Sequence, residues 1–527
     1  MSEDLGHECG VAALYWLDEA PKRGGPASAS VKGGDVSPLM PGMLLDLQNR
    51  GQLAAGLASY DPQRTQLLDT YKDIGTVSEA FRMSHPEEFR QILRDYRGKA
   101  AIGHTRYATC GADDRRHAQP FERHHGRLWK WFAFAFNGNL SNYGELRHQL
   151  LAKRHYHFTL DTDTEIIMHA LAYRLRGDKP TDLVKAMSAL ARRFDGAYNL
   201  MFLDAMGRMC VARDPLGLRP MNWAVQGKLF AAASESVALS NLGFKKVHAL
   251  EPGQMAVVED GKLRFETFAE SRKKARCFFE MVYFSNVASS IDGSSVYMAR
   301  ARSGERLAEV EDQIMDETCI VVPVPDTAKA AADAFAFQKR IPSVEGLIRN
   351  RYIGRTFIQP SSSRSRGARG KYTPLPSVLS GKRVFLLEDS IVRSTTLRNL
   401  ASRIRKEGKA KEIHVRVACP PIVAPCFYGI DMSTLNELFA TQFIKGRYNG
   451  TPGQDMLDRM ARALEVDSLR YLSVEDLDPC LGFEPESMCL GCVTGRYPTA
   501  WGNKLMRRAK RNQASGSKGR TYESTPF

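Results

Sequence analysis

Glu388 and Asp389 stand side by side at the end of a short apolar run, Val384-Phe-Leu-Leu387, and the hydroxyls of Ser390, Ser394, Thr395 and Thr396 follow closely. Where a strand ends and a helix begins, free N–H groups and the helix dipole favour an anion such as phosphate. Two adjacent carboxylates beside such an anion hole suit a ligand that carries both a sugar diol and a phosphate, with a divalent cation nearby. The plainer reading is an acidic strand end followed by a Ser/Thr helix cap.

Cys9 offers a different chemistry. It follows Met-Ser-Glu-Asp-Leu-Gly-His-Glu and precedes the strand-like run Gly-Val-Ala-Ala-Leu-Tyr-Trp. Removal of residues 1–8 would give Cys9 a free α-amino group beside its own thiol, and that amine is a built-in general base near neutral pH. Otherwise the residue reads as a small buried hydrophobe. Further along stand Arg106 in Gly103-His-Thr-Arg-Tyr-Ala-Thr109, Asn137-Gly138 in Phe136-Asn-Gly-Asn-Leu-Ser-Asn142, and Asp163 in Thr162-Asp-Thr-Glu165. A bidentate arginine suits the carboxylate of a free amino acid, and an aspartate suits its ammonium. An asparagine amide with a glycine N–H stabilises a tetrahedral oxyanion. Each also has an ordinary role: a surface ion pair for Arg106, a helix N-cap for Asp163, a hairpin turn for Asn137-Gly138. The third feature is Cys489-Leu-Gly-Cys492, a spacing compatible with zinc, a redox pair or chance.

The elements needed to position these groups are legible in outline. The run at 384–387 predicts a strand buried on both faces, and Leu397, Leu400 and Ile404 predict the helix after it. Cys319-Ile-Val-Val-Pro-Val-Pro325 predicts a second buried strand ending in a polar turn. A chain of 527 residues implies two or three domains. No apolar run approaches the roughly 18 to 20 residues that span a bilayer. The N-terminus lacks a secretory signal, so the cytoplasm is the default location and ten scattered cysteines do not form a disulfide framework. The net charge of +15 points to anionic partners, and part of it sits in a basic C-terminal tail, read as a solvated, disordered extension. Nothing resembles a base-reading motif, so no nucleic-acid partner is expected.

The order of the motifs carries a resemblance. Cys9-Gly-Val, Arg50-Gly-Gln, Gly103-His-Thr-Arg-Tyr-Ala-Thr109, Asn137-Gly-Asn-Leu-Ser-Asn142 and Thr162-Asp-Thr-Glu165 succeed one another as in the class II glutamine amidotransferases. Arg213-Asp-Pro-Leu-Gly-Leu-Arg219-Pro extends it. Leu347-Ile-Arg-Asn-Arg351-Tyr-Ile-Gly-Arg355, the basic segment 361–371 and the stretch around Glu388 then make residues 9–500 similar to the glutamine phosphoribosylpyrophosphate amidotransferases. Three departures stand out: Glu388 for a usual aspartate, Ser394 for a usual glycine, and Ser285-Asn-Val-Ala-Ser-Ser290 for a usual Ala-Arg-Pro-Asp-Ser.

The resemblance implies a propeptide at 1–8 and an α+β Ntn hydrolase domain at 9–265, with stacked antiparallel sheets between helices. It implies an α/β type I phosphoribosyltransferase domain with a mainly parallel sheet at 266–500, leaving 501–527 as the tail. Cys9 would be the nucleophile, Asn137 and Gly138 the oxyanion hole, and Arg106, Thr109 and Asp163 the glutamine contacts. Glu388, Asp389, Ser390, Arg393, Ser394, Thr395 and Thr396, with Arg351, Arg355 and Lys371, would bind 5-phosphoribosyl pyrophosphate (PRPP). Mg2+ would lie near Glu388 and Asp389. The cluster-bearing branch of the family would hold a 4Fe-4S cluster on Cys277, Cys426, Cys489 and Cys492. Purine nucleotide feedback and a homotetramer are implied by the family alone. Two rivals remain: a catalytically silent nucleotide-binding paralogue, and a sugar-phosphate amidotransferase, which lacks the strand–Glu-Asp–hydroxyl arrangement.

Overall fold

A computed structural model describes residues 9–20, 31–107, 114–153, 155–160, 162–349, 372–430, 432, 434–444, 446, 448 and 450–515. Among the described residues the first unit contains the strands β1 (Gly10–Trp16), β2 (Ala54–Tyr60), β3 (Leu68–Ile74), β4 (Ala100–Arg106), β5 (Phe121–Arg123), β6 (Phe132–Leu140), β7 (Gly196–Asp204), β8 (Met209–Arg213), β9 (Asn222–Gln226), β10 (Leu229–Ala233), β11 (His248–Ala249), β12 (Gln254–Glu259) and β13 (Lys262–Thr267). They form two antiparallel sheets, ordered β11-β9-β10-β1-β4-β2-β3 and β13-β12-β8-β7-β6-β5.

Alternation along the strands explains the stacking, because successive side chains point to opposite faces. Val11, Ala13 and Tyr15 of β1 meet Ala133 and Ala135 of β6 and Met201 and Leu203 of β7 between the sheets. Ala12 and Leu14 instead pack outward on Met40, Met43 and Leu44 of the helix Met40–Asp46. Phe132, Phe134 and Phe136 pack outward on Ile166, Ile167 and Leu171 of the helix Asp163–Arg174. The result is a helix–sheet–sheet–helix stack, as expected.

The second unit is built on β14 (Cys319–Pro323), β15 (Arg383–Glu388), β16 (Glu412–Val417) and β17 (Ser468–Tyr471), which pair in that order and in parallel. The run at 384–387 lies in β15, the second strand of this order. Val384 and Leu386 face Leu397, Leu400 and Ile404 of the helix Thr395–Lys406, while Phe385 and Leu387 face Leu307, Ala331 and Phe335 of the helices Val296–Glu309 and Lys329–Lys339. Those two helices approach closely at Gly304, where a Cβ would come within 2.0 Å of the Ala331 carbonyl oxygen.

The C-terminal stretch departs from expectation. Residues expected to be disordered from 501 onward instead form the helix Ala500–Ala514, which Thr499 caps by accepting from Gly502 N–H at 3.0 Å. Its Leu505, Met506 and Ala509 share one buried face, while Arg507, Lys510 and Arg511 remain outside. That apolar face supplies the burial a purely basic tail would lack. Residues 516–527 lie outside the described residues.

Candidate active site

Cys9 directly precedes β1, whose pairing with β4 sets Gly10 opposite Thr105. The Cys9 thiol donates to the Tyr107 carbonyl at 3.6 Å, so the nucleophile candidate and the end of β4 meet at one end of the seven-stranded sheet. Arg106, the last residue of β4, is 5% exposed, which does not fit a surface ion pair. Gly51 packs against its backbone so tightly that a Cβ would lie 2.6 Å from the Arg106 carbonyl carbon.

Asn137 and Gly138 lie inside β6, opposite Asn199 and Tyr198 of β7, and so are not a hairpin turn. Gly138 has φ +150°, and a Cβ there would fall 2.0 Å from the Ala197 carbonyl oxygen. Only glycine fits this backbone. Asn137 Nδ2 donates to Ser234 Oγ at 3.3 Å, and the same oxygen accepts from Val11 N–H at 3.0 Å. Ser234, just after β10, therefore ties the oxyanion candidate to the strand beside Cys9. Ser234 belongs to Ala233-Ser-Glu-Ser236, a stretch that extends the family resemblance without assigning it this role.

Thr162, not Asp163, caps the next helix by accepting from Glu165 N–H at 3.4 Å. Asp163 is the first helical residue, and its carboxylate accepts from Leu140 N–H at 3.3 Å. Burial pushes this carboxyl up to about 6, against the opposing effect of its hydrogen bonds. The ordinary readings of Arg106, Asn137-Gly138 and Asp163 thus all fail on geometry. Thr109 lies outside the described residues.

In the second unit, β15 delivers Glu388 and Asp389 to the sheet's C-terminal edge. Asp389 is 5% exposed and accepts from Thr327 Oγ1 at 2.5 Å and Ser390 Oγ at 2.6 Å. Thr327 sits in the polar turn expected after β14, although nothing local connects it to residue 389. Ser394 occupies the N-cap position of the helix Thr395–Lys406 without a side-chain cap bond, so the helix-cap reading of these hydroxyls does not hold. Its φ of −83° and ψ of −21° are ordinary for any residue, so glycine is not demanded there. Thr395 and Thr396 open the helix with exposed side chains, and Arg393 stands 3.9 Å from Glu437. Arg351, Arg355 and Lys371 lie outside the described residues.

Cys277, Cys426, Cys489 and Cys492 line one cavity, together with Arg219, Tyr428 and Tyr497. The strands Arg276–Cys277 and Met488–Cys489 run parallel and set Cys277 opposite Cys489. Cys426 Sγ accepts from Tyr428 N–H at 3.3 Å. The four share a space, yet among the described residues no group of three His, Cys, Asp or Glu is close enough to hold a metal ion.

The two units interlock. Asn139 Nδ2 donates to the Phe427 carbonyl at 3.0 Å, so β6 touches the loop that carries Cys426. A fully buried charge network lies alongside. Arg50 pairs with Glu235 and with Glu280, both at 2.7 Å, and Arg219 meets Glu280 at 3.3 Å. Ser285 Oγ donates to Glu280 at 2.8 Å, while Asn286 N–H and Ser289 Oγ each donate to Glu235 at 2.7 Å. The unusual segment at 285–290 thus saturates these carboxylates.

The glutamine amidotransferase domain model matches residues 88–259. The amidophosphoribosyltransferase of Methanothermobacter thermautotrophicus is 36% identical, covering 94% of this chain and 95% of its own. That of Bacillus subtilis is 35% identical, covering 94% and 95%. The solved glutamine PRPP amidotransferase from B. subtilis complexed with ADP and GMP superposes with a TM-score of 0.77 at 33% identity, covering 94% of this chain and 98% of that one. A second structure, described as the allosteric regulatory enzyme of purine biosynthesis, gives a TM-score of 0.77 at 34% identity, covering 93% and 96%.

Proposed function

Because this chain belongs to the amidophosphoribosyltransferases, glutamine-dependent enzymes of purine biosynthesis, we propose that its two units divide the family's reaction between them. Glutamine, water and PRPP give glutamate, 5-phosphoribosylamine and pyrophosphate. The assignment is supported by Cys9 bonding beside the end of β4 that carries Arg106, by Ser234 linking Asn137 to β1, and by Asp163 bonding to the end of β6.

Cys9, its α-amine freed by removal of residues 1–8, attacks the side-chain amide of glutamine. The amide carbonyl becomes an oxyanion that Asn137 Nδ2 and the Gly138 N–H stabilise. Collapse expels ammonia and leaves a thioester, which water hydrolyses to glutamate. Arg106 holds the glutamine carboxylate and Asp163 its ammonium, with Thr109 a further glutamine contact. Ammonia then bonds to C1 of the ribose as the C1–O bond to pyrophosphate breaks. In the second unit Glu388 and Asp389 bind the ribose hydroxyls. Ser390, Arg393, Ser394, Thr395 and Thr396 take the 5′-phosphate, and Arg351, Arg355 and Lys371 the pyrophosphate.

Paired carboxylates suit a hard, oxygen-seeking cation, and Mg2+ bound near Glu388 and Asp389 would neutralise charge on the pyrophosphate. Four cysteines around one cavity suit thiolate ligation, and a 4Fe-4S cluster on Cys277, Cys426, Cys489 and Cys492 would staple distant segments without taking part in transfer. Purine nucleotides act as feedback ligands, a reading supported by the ADP and GMP on the B. subtilis relative. A cytoplasmic homotetramer completes the proposal; among the described residues no helix is long and apolar enough to cross a membrane. The domains run 9–265 and 266–500, with the basic C-terminal segment after them.

The test is stoichiometric. Protein supplied with glutamine, PRPP and Mg2+ should release glutamate and pyrophosphate in equal amounts. Glutamate release that PRPP leaves unchanged, with no pyrophosphate formed, would rule the coupled reaction out.

A further inference from the structure

Arg300 lies in the helix Val296–Glu309, and only 6% of it is exposed. Its Nε donates to the Met281 carbonyl at 3.0 Å and its Nη2 to the Ser285 carbonyl at 2.8 Å. Neither acceptor is charged, and among the described residues no carboxylate lies within 4.0 Å of the guanidinium. The most deeply buried arginines of the chain behave otherwise. Arg50 pairs with Glu235 and Glu280, Arg213 with Asp292, Arg219 with Glu280, and Arg416 with Glu311. A buried cation without an ion pair is strongly unfavourable, so this one calls for a reason beyond packing.

The surroundings supply it. Arg300 lines a small cavity whose other polar walls are Ser303, Thr327 and Asp389. Ser303 Oγ is committed to the Ala299 carbonyl at 3.0 Å, and Thr327 Oγ1 to Asp389 at 2.5 Å, which leaves Asp389 as the anion facing the guanidinium. Burial lowers Arg300 to about 10, while Asp389, Glu235 and Tyr283 are the nearby groups that oppose the fall. The carbonyls that clamp Arg300 belong to the segment that also carries Glu280 and Ser285 of the buried charge network. The junction between the two units therefore fixes the guanidinium in place.

We propose that Arg300 is a positioning residue for the PRPP site, holding the Asp389 carboxylate beneath the ribose by its charge across their shared cavity. It does not touch substrate. The proposal rests on the assignment of Asp389 to the ribose. If Arg300 only satisfies the two carbonyls, its loss should weaken the fold and leave PRPP recognition alone.

The test uses the full-length protein and compares Arg300→Met, Arg300→Lys and Asp389→Asn with wild type. Initial rates are measured against PRPP, alongside glutamine hydrolysis without PRPP. Arg300→Met should raise KM for PRPP about tenfold, the effect of displacing one nearby opposite charge, with kcat within about twofold. Hydrolysis of glutamine alone should be unchanged. Arg300→Lys keeps the charge and should return KM to within about threefold of wild type. A wild-type KM in Arg300→Met overturns the proposal, as does a parallel loss of PRPP-free hydrolysis that lysine does not rescue. Should the methionine variant not fold, a tenfold KM defect in Arg300→Lys, with glutamine hydrolysis intact, also overturns it. Asp389→Asn separates the two claims. An unchanged KM there sinks the ribose assignment itself, whereas a raised KM beside a normal Arg300→Met sinks only the role of Arg300.

Discussion

Gly138 shows how a single backbone position constrains the chemistry. Its positive φ and the Ala197 carbonyl leave no room for a Cβ, so Gly138→Ala must displace β6 at the proposed oxyanion hole. Glutamine-dependent rate should fall on the order of a hundredfold or more, while amination with ammonium stays near normal. Equal loss with both nitrogen donors would argue against an oxyanion role. Asp163 gives a pH prediction. Its carboxyl titrates near about 6, raised by burial, and only the ionised form can hold the glutamine ammonium. KM for glutamine should be flat above this value and climb as pH falls through it, approaching about tenfold per unit. Asp163→Asn should show a high KM at every pH; a pH profile unchanged by that substitution would exclude the residue. These residues were legible because their types and order form a pattern. The partners of Ser234 and Thr327 were not, since each bonds a residue distant in the chain, Asn137 for one and Asp389 for the other.

The strand at 384–387 was legible because a parallel strand buried on both faces must be apolar at every position, and β15 is flanked on both sides. The helix after it announced itself through Leu397, Leu400 and Ile404. The terminal helix stayed hidden because its basic composition masks the few apolar residues, Leu505, Met506 and Ala509, that dock it. The interlock between the units was hidden for another reason: it is made of charges, which read as surface. Arg50 and Glu280 are buried together with Glu235 and Arg219. Glu280→Gln would leave Arg50 and Arg219 short of a counter-charge in a buried interface. We expect a loss of about 3–5 kcal/mol on denaturant unfolding. A change below about 1 kcal/mol would mean that water or relaxation compensates the arginines.

The assembled protein brings together residues that sequence motifs presented separately. β6 touches the loop that carries Cys426, and that loop lines the cavity shared with Cys277, Cys489 and Cys492. Protein purified without oxygen should therefore be coloured and contain iron and acid-labile sulfide, both lost in Cys489→Ser. A colourless, zinc-bearing protein would contradict the cluster. The central claim is that one chain makes ammonia at Cys9 and spends it on PRPP in the second unit. The most direct measurement is pyrophosphate release from PRPP by Cys9→Ser, supplied with glutamine in one reaction and ammonium in the other. Cys9→Ser should give no release with glutamine and near-normal release with ammonium. Continued release with glutamine would contradict Cys9 as nucleophile, and none with ammonium would contradict a separate, intact PRPP site.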